Sequence, residues 1–276
     1  MANCVPDLWQ SGAKDVTTRN NNGANRRKGI YLLPNLFTTA ALFAGFYSII
    51  AAIDGNMHNA AVAIFVAMVL DGLDGRVARL TRTESDFGKE YDSLSDMVCF
   101  GLAPALVTYQ WGIAELKEHG WLWSKLGWLA AFVFAVSAAL RLARFNSRAD
   151  SSDKRFFEGL PSPSAAGLVA AVVWLVSDWQ ATGTIALVTA FLFTAGAGGL
   201  MVSSFRYYSF KDINLGRKVP FAYVLAIPLI FVFISFEPPV VLFLMFFGYA
   251  LTGPLLCLYR RNRPPQADKA ASEREG

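Results

Sequence analysis

Long apolar blocks alternate with short polar ones along this chain, and the blocks are sized for a bilayer. A helix needs roughly 17–25 mostly apolar residues to cross a hydrocarbon core of about 30 Å. About eight apolar stretches are read as spans, all but the shorter fifth within that range: Leu32–Ile53, Asn59–Leu80, Tyr91–Trp111, Leu126–Phe145, Ser164–Asp178, Thr184–Ser203, Val219–Phe236 and Pro239–Tyr259. The pattern predicts an all-α, polytopic transmembrane helical bundle. No internal repeat is visible, so the spans are read as one domain, residues 29–259. It is preceded by a flexible segment, 1–28, and followed by a charged, Pro-broken and disordered tail, 260–276.

Composition agrees with the blocks. Hydrophobic residues make up 54% of the chain and charged ones 17%, with a mean hydropathy of +0.36, too apolar for an ordinary soluble domain. Charge then sets the orientation. With both termini on the cytoplasmic side, that side collects 23 of the 25 Lys and Arg, leaving only Lys117 and Lys125 outside. The net charge of +4 and pI near 9.0 are accounted for by a basic face toward anionic lipid, with no nucleic acid needed. The polar N-terminal stretch lacks an apolar core, so no cleaved signal peptide is expected, and Arg26-Arg27-Lys28 reads as a juxtamembrane anchor. Cys4, Cys99 and Cys257 are scattered without metal or disulfide spacing. His58 and His119 fall in expected outer loops and receive no role.

One stretch breaks the apolar rule. Asp71-Gly72-Leu73-Asp74-Gly75-Arg76-Val77-Ala78-Arg79 continues directly from the apolar segment Ala60 to Leu70, and Gly88-Lys89-Glu90-Tyr91-Asp92-Ser93-Leu94-Ser95-Asp96 follows a short polar run. A carboxylate in mid-membrane costs about 2.5–3.5 kcal/mol on insertion scales. Four in one stretch call for a neutralising partner, and a pair of divalent cations that also hold a phosphate is the natural one. On a helix Asp71, Asp74, Gly75, Ala78 and Arg79 share a face, and Asp92 and Asp96 stand one turn apart. With Thr81 to Phe87 as a turn, two helices would meet as a hairpin of facing carboxylate pairs suited to Mg²⁺, Mn²⁺ or Ca²⁺. Gly75, Ala78 and Gly88 lack bulk, so a nucleotide or diphosphate can approach the backbone, and Arg79 offers a hydrogen-bonding fork to phosphate. Asp71 lies roughly 20 Å along the helix from His58, near the cytoplasmic third of the membrane.

The run Asp71-x-x-Asp74-Gly75-x-x-Ala78-Arg79-x8-Gly88-x3-Asp92-x3-Asp96 resembles the signature of the CDP-alcohol phosphotransferases, with every signature position filled. The resemblance implies a helical membrane enzyme, usually dimeric, with 29–259 as its catalytic domain and two divalent cations near the cytoplasmic face. Asp71, Asp74 and Asp92 would be metal ligands. Asp96 would face the metals and act as the general base. Gly75, Ala78, Arg79 and Gly88 would line the CDP pocket.

Leu33-Pro34-Asn35-Leu36-Phe37-Thr38, Arg141-Leu142-Ala143-Arg144-Phe145-Asn146, Phe157-Glu158-Gly159-Leu160-Pro161-Ser162-Pro163, and Met201-Val202-Ser203 with Phe205-Arg206-Tyr207 are similar to the phosphatidylserine-forming branch of that family. That likeness implies transfer of a phosphatidyl group from CDP-diacylglycerol to L-serine, releasing CMP, in a bacterial cytoplasmic membrane with the site facing the cytoplasm. Arg141 and Arg144, at i and i+3, would hold the serine carboxylate together with the helix start at Ser162, and Phe145 would shape the pocket.

Other readings remain at this point. Another acceptor alcohol or an ether-lipid donor would preserve the same signature. An intramembrane prenyltransferase also holds a diphosphate with aspartates, but on well-separated helix pairs. A divalent-cation transporter would spread its carboxylates over several spans.

Overall fold

The computed structural model of this chain describes residues 22–81, 83, 85–113, 121–147, 156–179, 184–208 and 235–261. Its elements are α1 (Asn22–Ile53), α2 (Met57–Thr81), α3 (Asp86–Asp96), α4 (Ala103–Thr108), α5 (Trp121–Ser147), β1 (Phe156–Glu158), α6 (Ser162–Asp178), α7 (Thr184–Val202), β2 (Arg206–Tyr208) and α8 (Pro238–Arg261). Among the described residues the architecture is helical, apart from one ladder of two three-residue strands. Three of the described helices are long and apolar enough to cross a membrane, within Pro34–Ile53, Lys125–Ser147 and Pro238–Tyr259; α6 and the apolar part of α7 are shorter. The expected seventh span, Val219–Phe236, lies almost wholly outside the described residues.

α1 and α2 form a close antiparallel hairpin. Gly55, at φ 78°, turns the chain, and the Asn56 side chain accepts from the Asn59 amide to open α2. Alanines dominate the seam: Ala41, Ala44, Ala51 and Ala52 on α1 and Ala60, Ala61 and Ala67 on α2 are all buried. Small side chains let the backbones approach, so the Ser48 hydroxyl reaches the Ala60 carbonyl at 2.7 Å. The outward faces carry Phe43, Phe46 and Val69, all exposed, as lipid-facing helices require.

α1 begins ten residues before the expected Leu32, inside the segment predicted to be flexible. Alanine, arginine and lysine between Asn22 and Lys28 are good helix formers, and no proline interrupts them. The turn after α2 is also shorter than expected. Thr83 N–H bonds the Ala78 carbonyl at 3.1 Å, and the Ser85 hydroxyl caps α3 by accepting from Gly88 N–H at 3.0 Å.

The expected third span is not one regular α-helix. After Asp96 the helix widens to π geometry over Met97–Leu102, resumes as α4, and widens again over Tyr109–Ile113. Pro104 supplies a reason for the first change: it has no N–H, and its ring would clash with the carbonyl one turn earlier. The widened turn sits directly after the last aspartate.

The second half packs α5, α6, α7 and α8 around Phe134, Leu168, Val169, Val172, Met201 and Tyr207. Between α5 and α6 the chain runs through β1, which pairs antiparallel with β2 in the register Phe157↔Tyr207. Gly159, at φ 80°, follows, and a Cβ there would collide with the Met201 carbonyl oxygen. Gly159 and Leu160 amides bond the carbonyls of Phe205 and Leu200, which fixes where α6 starts.

Candidate functional site

The capped turn between α2 and α3 brings the two aspartate pairs face to face. One carboxylate oxygen from each of Asp71, Asp74 and Asp92 lies within 4.8 Å of the others. Asp96, one turn further along α3, has its carboxyl against that of Asp71. Asp74 is buried and its Oδ2 accepts from the Thr38 hydroxyl at 2.7 Å. Asp92 Oδ1 and Asp96 Oδ1 are buried with no hydrogen-bond partner among the described residues. Buried carboxylate oxygens left unpartnered are costly, several kcal/mol each when ionised. Clustered hard oxygens in that state are the donor set of a Mg²⁺-, Mn²⁺- or Ca²⁺-type site, so the residues fit a divalent cation.

Beside the carboxylates opens a cavity of about 330 Å³, lined by Asp74, Gly75, Ala78, Arg79, Gly88 and Asp92 from α2 and α3 and closed by Pro34, Asn35 and Thr38 from α1. All four residues expected to line a nucleotide pocket are therefore in one cavity with two of the aspartates. A Cβ on Gly75 would meet nothing within 4 Å, so that stretch of helix surface is open. Arg79 turns its Nε back to the Gly75 carbonyl at 2.9 Å, which steadies the side chain along its own helix.

A second polar group adjoins the first. Arg141 on α5 donates from Nη1 to the Ser162 hydroxyl at 2.6 Å, and Ser162 is fully buried at the start of α6. The same guanidinium lies within electrostatic reach of Asp96 and of Tyr249 on α8, and its Nε is buried without a hydrogen-bond partner among the described residues. Further along α5, one turn past Leu142, the Asn146 side chain ties the end of the helix to α3 by donating to the Ser93 hydroxyl at 2.9 Å.

Arg144 and Phe145 are not brought into the cavity. Both sit near the end of α5, and Phe145 is 47% exposed. Of the expected acceptor residues, Arg141 and Ser162 meet each other, while these two stand apart from that contact. Helical spacing places Arg141 and Arg144 on one broad face, but only Arg141 lies deep enough along α5 to meet the start of α6.

Several cavity residues carried no assigned role in the sequence reading: Pro34, Asn35, Thr38, Thr83, Ser85 and Lys89. A signal for the α1 group was present. Asn35, Thr38 and Thr39 stand at i, i+3 and i+4 on an otherwise apolar helix, and Thr39 meets the Tyr91 hydroxyl at 2.9 Å. Tyr249 had no such signal, because it sits in an aromatic-rich helix that reads as packing.

Comparison with known proteins bears on the same residues. A sequence profile of the CDP-alcohol phosphatidyltransferase family matches residues 31–196. The chain is similar to a protein of Helicobacter pylori (strain J99) named CDP-diacylglycerol–serine O-phosphatidyltransferase, 39% identical over 205 residues, covering 74% of this chain and 83% of the relative. A protein of the same name from Methanocaldococcus jannaschii is 32% identical, covering 66% of this chain and 77% of the relative. An archaetidylserine synthase of Methanothermobacter thermautotrophicus is 33% identical, covering 63% and 69% respectively.

Proposed function

The chain belongs to the CDP-alcohol phosphatidyltransferase family, and from that premise we propose that it transfers the phosphatidyl group of CDP-diacylglycerol to L-serine, giving phosphatidylserine and CMP. The observation that carries this reading is the single cavity that holds Asp74, Asp92, Gly75, Ala78, Arg79 and Gly88 together. Serine is the part shared by the relatives' names, whereas the lipid part differs between them, which favours the acceptor over any one choice of lipid tail.

In this reading Asp71, Asp74, Asp92 and Asp96 hold two divalent cations, Mg²⁺ or Mn²⁺, with Ca²⁺ also able to occupy the site. When bound, the cations offset the charge of the diphosphate and of departing CMP. The chain's own groups do the rest. Gly75, Ala78 and Gly88 let the nucleotide approach the helices, and Arg79 binds phosphate oxygen. Arg141, steadied by Ser162, receives the serine carboxylate, with Arg144 and Phe145 at its outer edge. Asp96 takes the proton from the serine hydroxyl. The serine oxygen then bonds the phosphorus that bears diacylglycerol, the bond from that phosphorus to CMP breaks, and the proton remains on Asp96.

The protein is an integral membrane enzyme. Eight spans, both termini in the cytoplasm, a bacterial cytoplasmic membrane, a site facing the cytoplasm and a homodimer complete the proposal, with 29–259 as the catalytic domain. The test is incubation of the purified chain with CDP-diacylglycerol and a panel of alcohols while CMP release is followed. Release with serine alone, abolished by a chelator and restored by Mn²⁺ or Mg²⁺, is expected. Release with glycerol 3-phosphate or inositol phosphate but not serine would overturn the acceptor.

A further inference from the structure

We propose that Thr38 of α1 is a positioning residue for the cation centre: its hydroxyl fixes one oxygen of Asp74 and leaves the other for the metal. This rests on the reading of the aspartates as cation ligands. The Thr38 hydroxyl donates to Asp74 Oδ2 at 2.7 Å, and both side chains are almost completely buried, at 4% and 5% exposure.

A threonine in a helix has an ordinary use for its hydroxyl, which is to bond the carbonyl one turn back. That acceptor is present here, the Pro34 carbonyl, at 3.2 Å. The bond to Asp74 is the shorter, and a carboxylate is the stronger acceptor, so the proton belongs chiefly to Asp74. The link joins residues 36 positions apart and is therefore tertiary.

The same residue touches the other arm of the hairpin. The Thr38 carbonyl lies 3.4 Å from the Ser95 hydroxyl, one position before Asp96. Thr39 meets Tyr91, the residue before Asp92. One turn of α1 thus contacts both aspartate-bearing helices, although it contributes no carboxylate of its own. Groups that orient metal ligands from behind typically alter affinity about 10- to 100-fold when removed.

The experiment is a Mn²⁺ titration of the detergent-solubilised full chain without substrate, reading free Mn²⁺ by electron paramagnetic resonance. Thr38→Val keeps the shape and deletes the donor, and should weaken binding by about 10- to 100-fold. Thr38→Ser keeps the donor and should bind as the unsubstituted chain does. Thr38→Val binding as tightly as the unsubstituted chain would overturn the proposal, as would Thr38→Ser binding as weakly as Thr38→Val. Failure of the unsubstituted chain itself to bind Mn²⁺ would overturn the cation reading, which keeps the two failures distinct.

Discussion

The two halves of the site are built in different ways. The half formed by α1, α2 and α3 is local: one short capped turn sets Asp71 and Asp74 against Asp92 and Asp96. The half around Arg141 is assembled from distant parts of the chain. Arg141 on α5 meets Ser162 on α6, whose start is fixed by the Gly159 turn against α7 and β2, and Tyr249 approaches from α8. The family profile, residues 31–196, contains every residue named in the first half and also Arg141, Gly159 and Ser162 of the second, and leaves out β2 and α8. In the proposed function the hairpin is the donor half, holding cations and nucleotide, and the long-range part around Arg141 is the acceptor half. Substitutions in the two halves should then fail in different kinetic parameters.

The largest effect is expected in the hairpin. Asp96→Asn keeps the size of the side chain and removes the proposed base, so turnover should fall by roughly 10²–10⁴-fold while CDP-lipid binding persists. Measured kcat beside equilibrium binding of the nucleotide lipid checks this. Full activity in Asp96→Asn would remove Asp96 as the base and leave the hairpin with binding alone.

Arg141→Ala tests the other half. A hydrogen bond to a charged group contributes about 1.5–3 kcal/mol, equivalent to about 10- to 100-fold in affinity. The expected outcome is a rise of that order in KM for serine, with KM for the CDP-lipid little changed. Arg144→Ala should raise the serine KM less, because Arg144 is not part of the contact with Ser162. Equal effects on both substrates would erase the distinction between the halves.

These halves also differ in how far the sequence discloses them. Spacing of three and four residues, with glycine and alanine between, is enough to place Asp71, Asp74, Asp92 and Asp96 on facing helices, because a hairpin with a short turn has few ways to close. The π-helical turn after Asp96 is not visible that way; it depends on how Pro104 is accommodated inside a packed helix. The separation of Arg141 from Arg144 is invisible for a related reason. Both satisfy the same helical spacing, and only the tertiary placement of α6 and α8 gives one of them Ser162 and Tyr249 as neighbours. Thr38 falls between these cases: its polar stripe is readable, but its partner, 36 residues away, is not.

The smallest expected effect makes the sharpest use of the structure. A methyl group added at Gly75 meets nothing within 4 Å, whereas one at Gly167 would lie 2.7 Å from the Phe246 ring. Gly167→Ala should therefore destabilise the fold, by about 1–3 kcal/mol for an overpacked site. Gly75→Ala should leave it unchanged or raise its stability by about 0.5–1 kcal/mol, since glycine inside a helix is unfavourable. If the nucleotide lies against that open surface, the same methyl group must crowd it, at about 1 kcal/mol for a modest misfit, or about fivefold in KM for the CDP-lipid. Thermal unfolding and steady-state kinetics on the one variant measure both. A stable Gly75→Ala with an unchanged KM for the CDP-lipid would move the nucleotide away from α2, and with it the assignment of the cavity to the donor half.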